Sequence, residues 1–288
     1  MKCFFHDDID GAASMSLIAQ YENNYDEEDY FEVDYVKELP YDKIKPGERV
    51  YFVDYSFSTS TIDRLRKILE ISDDVIWIDH HQSSIEALEE NPDLYDHENL
   101  TIFVINKKIS GAGLTWMYIN NEKDLSNAPL YIKLVSDYDC WILHNKDAML
   151  FKHGMMSIEY NKPTSIVWSN LKYNDYINSI IEKGKAIEGY IKADCKSYLD
   201  KFSFEAKLPG YNYKILACNR KENSILFGDE IYKYDIVCPF VFNGDVFIYS
   251  LFSSKEYINC KEIAESFGGG GHISASGFSS KNMVLEKI

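Results

Sequence analysis

Three short apolar segments of this chain run directly into acidic or histidine side chains, and this pattern constrains the fold more than any other feature. The segment Val75–Ile78 is followed at once by Asp79-His80-His81. Two earlier apolar segments end in the same way, at His6-Asp7-Asp8-Ile9-Asp10-Gly11 and at Asp54. Such runs predict buried strands, and open α/β sheets build their sites at the carboxyl ends of their strands. A single acid after a strand is common, whereas three such clusters predict a metal enzyme.

The first half of the chain alternates strand-like and helix-like segments. This alternation predicts an α/β fold with a mostly parallel sheet flanked by helices. The expected strands cover 2–5, 50–54, 74–79 and 100–105, and the expected helices cover 11–21, 58–71, 83–90 and 111–120.

The pattern changes in the second half, which predicts a second domain. Residues 1–172 are expected to form the catalytic, metal-binding domain, 173–204 a linker helix, and 205–288 a smaller α+β domain. Strands are predicted within the last part at 213–217, 236–242 and 246–252, with helices near 224–233 and 259–267.

Composition and charge narrow the set of partners. The net charge is −16, and such a field repels long polyanions. We therefore expect a short oligonucleotide or a small phosphorylated nucleotide as substrate, and no long duplex.

No apolar stretch reaches the roughly 18 residues of a membrane span, and no signal peptide is evident, so no membrane partner is expected. Six scattered cysteines without a CxxC pair indicate reduced thiols in a cytoplasmic protein, with a homodimer left open.

The acids and histidines suit a divalent ion. On extended backbone the side chains of His6, Asp8 and Asp10 fall on one side, so three ligands can converge at one strand end. Carboxylates with one or two imidazoles favour Mn²⁺ over Mg²⁺, and adding Asp54, His80 and a later acid gives enough ligands for two ions. Taken alone, the first cluster could be a capped turn and Asp54 a helix-capping acid. Their joint occurrence favours the metal site.

These motifs resemble the DHH phosphoesterase superfamily, whose catalytic domain carries the triplet seen here as Asp79-His80-His81. The resemblance implies two Mn²⁺ ions, with Mg²⁺ as the alternative, held by His6, Asp8, Asp10, Asp54, His80 and Asp137. It also implies two catalytic residues: Asp79 would orient a histidine, and His81 would lie beside the scissile phosphate. The fourth family motif, an acid after a later strand, matches Ser136-Asp137-Tyr138-Asp139. Asp137 is preferred to Asp139 because it follows the apolar run directly.

The carboxyl-terminal part is similar to the family's substrate-binding domain, named DHHA1. Its glycine signature appears as Gly268, Gly269, Gly270, Gly271 and His272, and the resemblance implies that these residues bind the substrate. Successive glycine amides can also form a nest for an anion. Family members often carry an arginine where this chain has Ser250-Leu251-Phe252-Ser253. Lys255 or Arg220 could replace it, or Phe252 could stack on a base.

The resemblance implies an Mn²⁺-dependent phosphodiesterase that hydrolyses short oligonucleotides, as the family's oligoribonucleases do. A phosphatase of nucleoside 3′,5′-bisphosphates, or a hydrolase of cyclic dinucleotides and their linear products, is the alternative enzyme. A nucleotide-binding regulatory module is the alternative from a different class.

Overall fold

The structure is a computed structural model that describes residues 1–35, 37–105, 108–142, 144–221 and 224–288. The chain divides into two compact units, Met1–Glu188 and Gly189–Ile288. The division falls inside one continuous helix, Asn174–Phe202, which occupies the region predicted as a linker helix. In the part of the chain that is described, no helix is both long enough and apolar enough to cross a membrane.

The first unit is built on a sheet of five parallel strands. The strands lie side by side in the order β2-β1-β3-β4-β5, and all four neighbouring pairs are parallel. Their bounds are β1 Lys2–His6, β2 Tyr30–Val33, β3 Arg49–Val53, β4 Asp74–Asp79 and β5 Leu100–Val104. The mostly parallel α/β fold predicted for the first half is therefore confirmed.

Helices cover both faces of this sheet. Their bounds are α1 Ile9–Glu22, α2 Ile62–Leu69, α3 Gln82–Glu90, α4 Gly111–Asn120, α5 Leu130–Asp139, α6 Lys146–Met155, α7 Ile166–Asn170 and α8 Asn174–Phe202. Alternate strand residues feed two separate cores, as the twofold period of a strand requires. Val75 and Trp77 pack with α2 and α3, whereas Ile76 and Ile78 pack with α1, α4 and α5.

The order of the strands creates a switch point between β1 and β3. After β1 the chain crosses to β2 on one side, and after β3 it crosses to β4 on the other side. The helices that follow the two strands, α1 and α2, belong to opposite cores. In open α/β sheets the crevice beyond such a point is where ligands bind. The acids after β1 and β3 lie at this edge.

The second unit carries a seven-stranded mixed sheet in the order β10-β11-β9-β8-β7-β6-β12. The strand bounds are β6 Ser203–Lys207, β7 Ile215–Asn219, β8 Ile236–Phe242, β9 Phe247–Phe252, β10 Gly270–Gly271, β11 Ala275–Ser280 and β12 Glu286–Lys287. One α-helix, α9 Cys260–Ser266, precedes the glycine segment, and a 3₁₀ segment spans Ser224–Tyr232. This unit is α+β, as predicted.

The prediction of a strand before the fourth acid motif is wrong. Residues Leu130–Asp139 form helix α5, which begins after Pro129. Tyr131, Ile132, Val135 and Ser136 are buried in it, and that spacing is the period of a helix. Strand β2 was not predicted, because its short apolar pattern lies among acidic residues.

Candidate metal centre

The first cluster lies at the turn from β1 into α1. Asp8 is the N-cap of α1, and its Oδ1 accepts the backbone N–H groups of Asp10 at 3.0 Å and Gly11 at 2.9 Å. Its Oδ2 lies 3.0 Å from His6 Nδ1. Burial would raise the pKa of Asp8, but the hydrogen bonds from His6 and the Gly11 amide hold it below its ordinary value. The predicted capped turn and a ligand position therefore coexist.

Asp10 connects this turn to the start of a distant helix. Its carboxylate is fully buried and accepts the N–H groups of Gly111 at 2.6 Å and Ala112 at 2.9 Å, in the first turn of α4. The positive end of a helix stabilises such a carboxylate. Burial and the nearby Asp8 nevertheless raise the pKa of Asp10.

Asp54 is the buried acid at the end of β3. Only 1% of its surface is exposed, and its backbone adopts a left-handed φ of 55°. Neither carboxylate oxygen accepts a hydrogen bond from the described residues. Burial, together with the carboxylates of Asp10 and Asp8, raises the pKa of Asp54 well above its ordinary value. A buried carboxylate without hydrogen bonds is costly unless a cation compensates it.

The triplet Asp79-His80-His81 begins at the last residue of β4, and its side chains have different surroundings. Asp79 is fully buried, and its carboxylate accepts hydrogen bonds from His81 Nδ1 at 2.7 Å and from the Ser84 hydroxyl. Burial would raise the pKa of Asp79, but the bond to His81 holds it low. His81 is 35% exposed at its side chain, so its ring reaches the surface of the site. The histidine that Asp79 contacts is thus His81.

His80 lies among the acids. Its Nε2 is 3.3 Å from Asp54 Oδ1, 3.3 Å from Asp139 Oδ2 and 3.9 Å from Asp10 Oδ2. Burial alone would lower the pKa of His80, but a hydrogen bond with Cys140 and the surrounding carboxylates raise it to about 9.

The structure brings Asp139 into this cluster, in place of the preferred Asp137. The Asp137 carboxylate instead accepts the side-chain amide of Asn145. Burial and the Asp10 carboxylate raise the pKa of Asp139 to about 7. Because the segment is a helix rather than a strand, its position after the apolar run does not decide which of the two acids faces the cluster. The geometry therefore favours Asp139 over Asp137 as the later acid.

The residues present fit divalent metal ions. Among the groups of ligand atoms that lie within 4.8 Å of one another, one is formed by His6, Asp8 and Asp54 and another by Asp54, Asp79, His80 and His81. Their donors are carboxylate oxygens and imidazole nitrogens, the set that suits Mn²⁺ or Mg²⁺. The Asp54 oxygens accept no hydrogen bond from the described residues, and this is an independent sign that a cation belongs there.

A cavity of about 410 Å³ borders the acids in the first unit. Its lining combines the acids Asp7, Asp8 and Asp139 with apolar and basic groups from Tyr138, Trp141, Lys152, Met156 and Tyr160. The Trp141 side chain is 57% exposed and its φ is 53°. Left-handed backbone at a bulky residue is uncommon and clusters at functional sites. The sequence reading did not single out these aromatic residues, although Trp141 follows the acid motif closely.

The glycine segment of the second unit has a structural role that the sequence reading did not predict. The N–H groups of Gly268 and Gly269 donate to the carbonyls of Glu265 and Ala264 and close the end of α9. The His272 N–H donates to Ala275, and Gly270–Gly271 pairs with β11. The predicted nest of successive free amides is therefore wrong for Gly268 and Gly269.

The three residues considered as replacements for the family arginine all have contacts within the second unit. Arg220 lies 2.6 Å from Asp194, and its guanidinium stacks over Tyr198. The Lys255 ammonium donates to the Tyr232 carbonyl, and Phe252 packs against an apolar cluster. For Phe252 the structure shows packing.

Comparisons with known proteins add evidence about the fold. No protein-family model matches the chain. An uncharacterised protein of Acanthamoeba polyphaga mimivirus is 26% identical over 245 residues, which are 82% of this chain. The chain spans about half the length of that relative, 54%.

Three solved structures are similar over nearly the whole chain. A pGpG-specific phosphodiesterase from Vibrio cholerae has a TM-score of 0.55 at 14% identity, covering 98% of this chain and 94% of that one. The DHH domain of a protein assigned to a family of ribosomal proteins has a TM-score of 0.59 at 11% identity, covering 96% of this chain and 81% of that one. RecJ from Thermus thermophilus in complex with Mn²⁺ has a TM-score of 0.52 at 13% identity, covering 96% of this chain and 49% of that one.

These likenesses define the fold class. The chain has the fold of DHH-domain proteins, and the resemblance read from its motifs is confirmed at that level. Identities of 11–14% show fold alone, so the activities of these proteins enter only as a basis for a proposal.

Proposed function

We propose that this protein is a metal-dependent phosphodiesterase that hydrolyses short oligonucleotides. One observation carries the proposal. The carboxylates of Asp54, Asp139 and Asp10 converge on His80 Nε2, and the buried Asp54 carboxylate accepts no hydrogen bond from the described residues. Burying these carboxylates close together lowers the folding stability, and a cation-dependent activity explains why a protein would contain such an arrangement.

The metal ligands in this proposal are His6, Asp8, Asp10, Asp54, His80 and Asp139, with Mn²⁺ as the preferred ion. When bound, divalent ions supply a hydroxide nucleophile at neutral pH and neutralise charge on the phosphate. For Asp10 to act as a ligand, its oxygens must bind an ion while they still accept the N–H groups of Gly111 and Ala112 in α4.

The protein's own proton chemistry is assigned to His81. Asp79 is held ionised and accepts a hydrogen bond from His81 Nδ1, so the proton of that tautomer sits on Nδ1 and the ring orientation is fixed. His81 Nε2 then carries a lone pair, so it would take up a proton from water and pass it to the oxygen that leaves phosphorus. The partly exposed position of His81 suits contact with a substrate, whereas the more enclosed His80 suits a ligand.

The substrate class follows from the walls of the site. Aromatic rings stack on nucleobases with little regard to sequence, and the cavity beside Asp8 presents Trp141, Tyr138 and Tyr160. Lys152 adds a cation for a phosphate. The net charge of −16 disfavours long polyanions. We assign substrate binding in the second unit to Gly270, Gly271 and His272 as part of the same proposal.

A dinucleotide-specific enzyme is the second candidate. The similar Vibrio cholerae structure is a pGpG-specific phosphodiesterase, and the likeness covers 98% of this chain. This candidate differs from the first in substrate length, because a dinucleotide-specific site loses activity on trinucleotides and longer strands.

The test is a hydrolysis panel with metal-stripped protein and added Mn²⁺. The substrates are RNAs of graded length from dinucleotides upward, pGpG and a nucleoside 3′,5′-bisphosphate, with Asp139→Asn as the site variant. Asp124→Asn is the matched control, because that acid is exposed and bonds to the nearby Ser126 amide. We expect Mn²⁺-dependent release of mononucleotides from the shortest RNAs, retained by the control and lost by Asp139→Asn. No turnover of any substrate, with nucleotide binding intact, would make the protein a binding module.

A further inference from the structure

Cys140 lies next to the acidic cluster and differs from the other cysteines in its surroundings. It follows α5 directly, and its N–H donates to the Ser136 carbonyl at 3.0 Å, which ends the helix. The other five cysteines are buried, whereas Cys140 is partly exposed. The sulfur of Cys140, an oxygen of Asp139 and a ring nitrogen of His80 lie within 4.8 Å of one another.

A second feature at the same place points to a cation. The buried Asp54 carboxylate accepts no hydrogen bond from the described residues, and its Oδ1 lies 3.3 Å from His80 Nε2. The same His80 atom lies 3.3 Å from Asp139 Oδ2. A buried acid that accepts no hydrogen bond and a group containing sulfur therefore meet at one imidazole.

We propose that Cys140 supplies a sulfur ligand to a divalent ion held by His80 and Asp139, and that this ligand shifts the centre toward thiophilic ions such as Zn²⁺ and Co²⁺. The inference rests on the proposed function, since it adds a ligand to that metal centre. A soft sulfur donor strengthens binding of these ions far more than binding of Mg²⁺. When the metal–sulfur bond forms, the thiol proton passes to solvent, and no atom changes oxidation state.

The competing interpretation is that Cys140 only hydrogen-bonds to His80. Both interpretations place the sulfur near the His80 ring, but a bond between sulfur and metal forms only if Cys140 is a ligand. A thiolate bound to Co²⁺ produces an intense charge-transfer absorption in the near ultraviolet, whereas oxygen and imidazole ligands give only weak visible bands. The spectrum therefore separates the two interpretations without reference to activity.

The experiment is a Co²⁺ titration of the metal-stripped full chain, followed by absorption spectroscopy. The parent is compared with Cys140→Ser and Cys140→Ala, and Cys195→Ala is the control because that cysteine belongs to the second unit. We expect the charge-transfer band in the parent and in the control, and its loss in both Cys140 variants. We also expect the affinity for Zn²⁺ relative to Mn²⁺ to fall at least tenfold in the Cys140 variants.

Alkylation provides a second readout on the parent itself. Iodoacetamide should modify Cys140 first, since it is the partly exposed thiol, and saturating Zn²⁺ should slow that reaction at least tenfold. An absent band, a band that survives in Cys140→Ala, or an unchanged alkylation rate overturns the proposal. If the band appears but no phosphodiester is hydrolysed, the ligand stands and the proposed function fails. If hydrolysis occurs without the band, only the ligand fails.

Discussion

Replacing Asp54 by asparagine should stabilise the metal-free protein while removing its response to metal. The substitution keeps the shape of the side chain and removes its charge. Asparagine adopts the left-handed backbone that position 54 requires, with its φ of 55°, so no strain is added. The stability of this protein is therefore expected to rise when its site is disabled.

The magnitude follows from the surroundings of Asp54. A buried carboxylate that accepts no hydrogen bond costs several kcal/mol, and each unit by which burial raises its pKa corresponds to about 1.4 kcal/mol. The asparagine amide still lacks partners, which costs about 1–3 kcal/mol and offsets part of the gain. We expect a net gain of about 1–3 kcal/mol, or about 2–12 °C in Tm for a unit of this size.

The gain should depend on pH in a defined direction. The pKa of Asp54 is raised in the folded state, so the folded protein binds a proton that the unfolded chain releases near its ordinary value of 3.8. The parent then loses stability as pH rises above that value toward the folded pKa. The advantage of Asp54→Asn over the parent should therefore be larger at about pH 8 than at about pH 5.

The matched control is Asp79→Asn at the end of the neighbouring strand. Asp79 is equally buried, but its oxygens accept bonds from His81 and Ser84, and its pKa is lowered. Its contribution is present above its ordinary pKa and is lost as pH falls, so the substitution should cost about 1.5–3 kcal/mol at neutral pH.

Thermal unfolding followed by circular dichroism, with and without Mn²⁺, measures both variants. The parent should gain about 2.7 kcal/mol at a metal concentration of about 100 times Kd, and Asp54→Asn should gain much less. The reasoning is refuted if metal-free Asp54→Asn melts below the parent under alkaline conditions.

Three further predictions concern the walls and ligands of the site. A Cβ at Gly111 would lie 2.5 Å from Asp54 Cβ, so Gly111→Ala should cost about 1–3 kcal/mol of unfolding free energy in denaturant titration, whereas Gly189→Ala, in open space, should not destabilise. His80→Ala should weaken Mn²⁺ binding at least tenfold in calorimetry, whereas His81→Ala should keep Mn²⁺ affinity within threefold and lower kcat; equal losses of affinity would contradict the separation of roles. Trp141→Ala should raise KM for dinucleotides with little change in kcat, because stacking contributes about 1–3 kcal/mol per base; an unchanged KM would remove Trp141 from the substrate pocket.

Much of the first unit could be read from the sequence because its signals are local. Strand β4 and helix α4 appear where their apolar runs and the Ser110 cap place them. The secondary structure of the segment Leu130–Asp139 could not be predicted in the same way. A short apolar run fits a buried strand or a buried helix, and only packing against α1, α4 and α6 decides between them.

The same limit explains the fourth acid. The sequence shows two carboxylates two positions apart, and either could reach a site at the end of a strand. On a helix, residues two apart face different directions, so Asp139 meets His80 while Asp137 meets Asn145. The choice depends on the type and the orientation of the element.

By itself the sequence determined the chemistry that is available: carboxylates and imidazoles after three apolar runs, on a chain patterned for a parallel sheet. The tertiary structure decided which of these groups meet. It placed Asp10 against α4, far away in sequence, and left Asp54 buried without a hydrogen bond from the described residues. Such long-range contacts arise from the strand order and from helix packing, and no local pattern of residues encodes them.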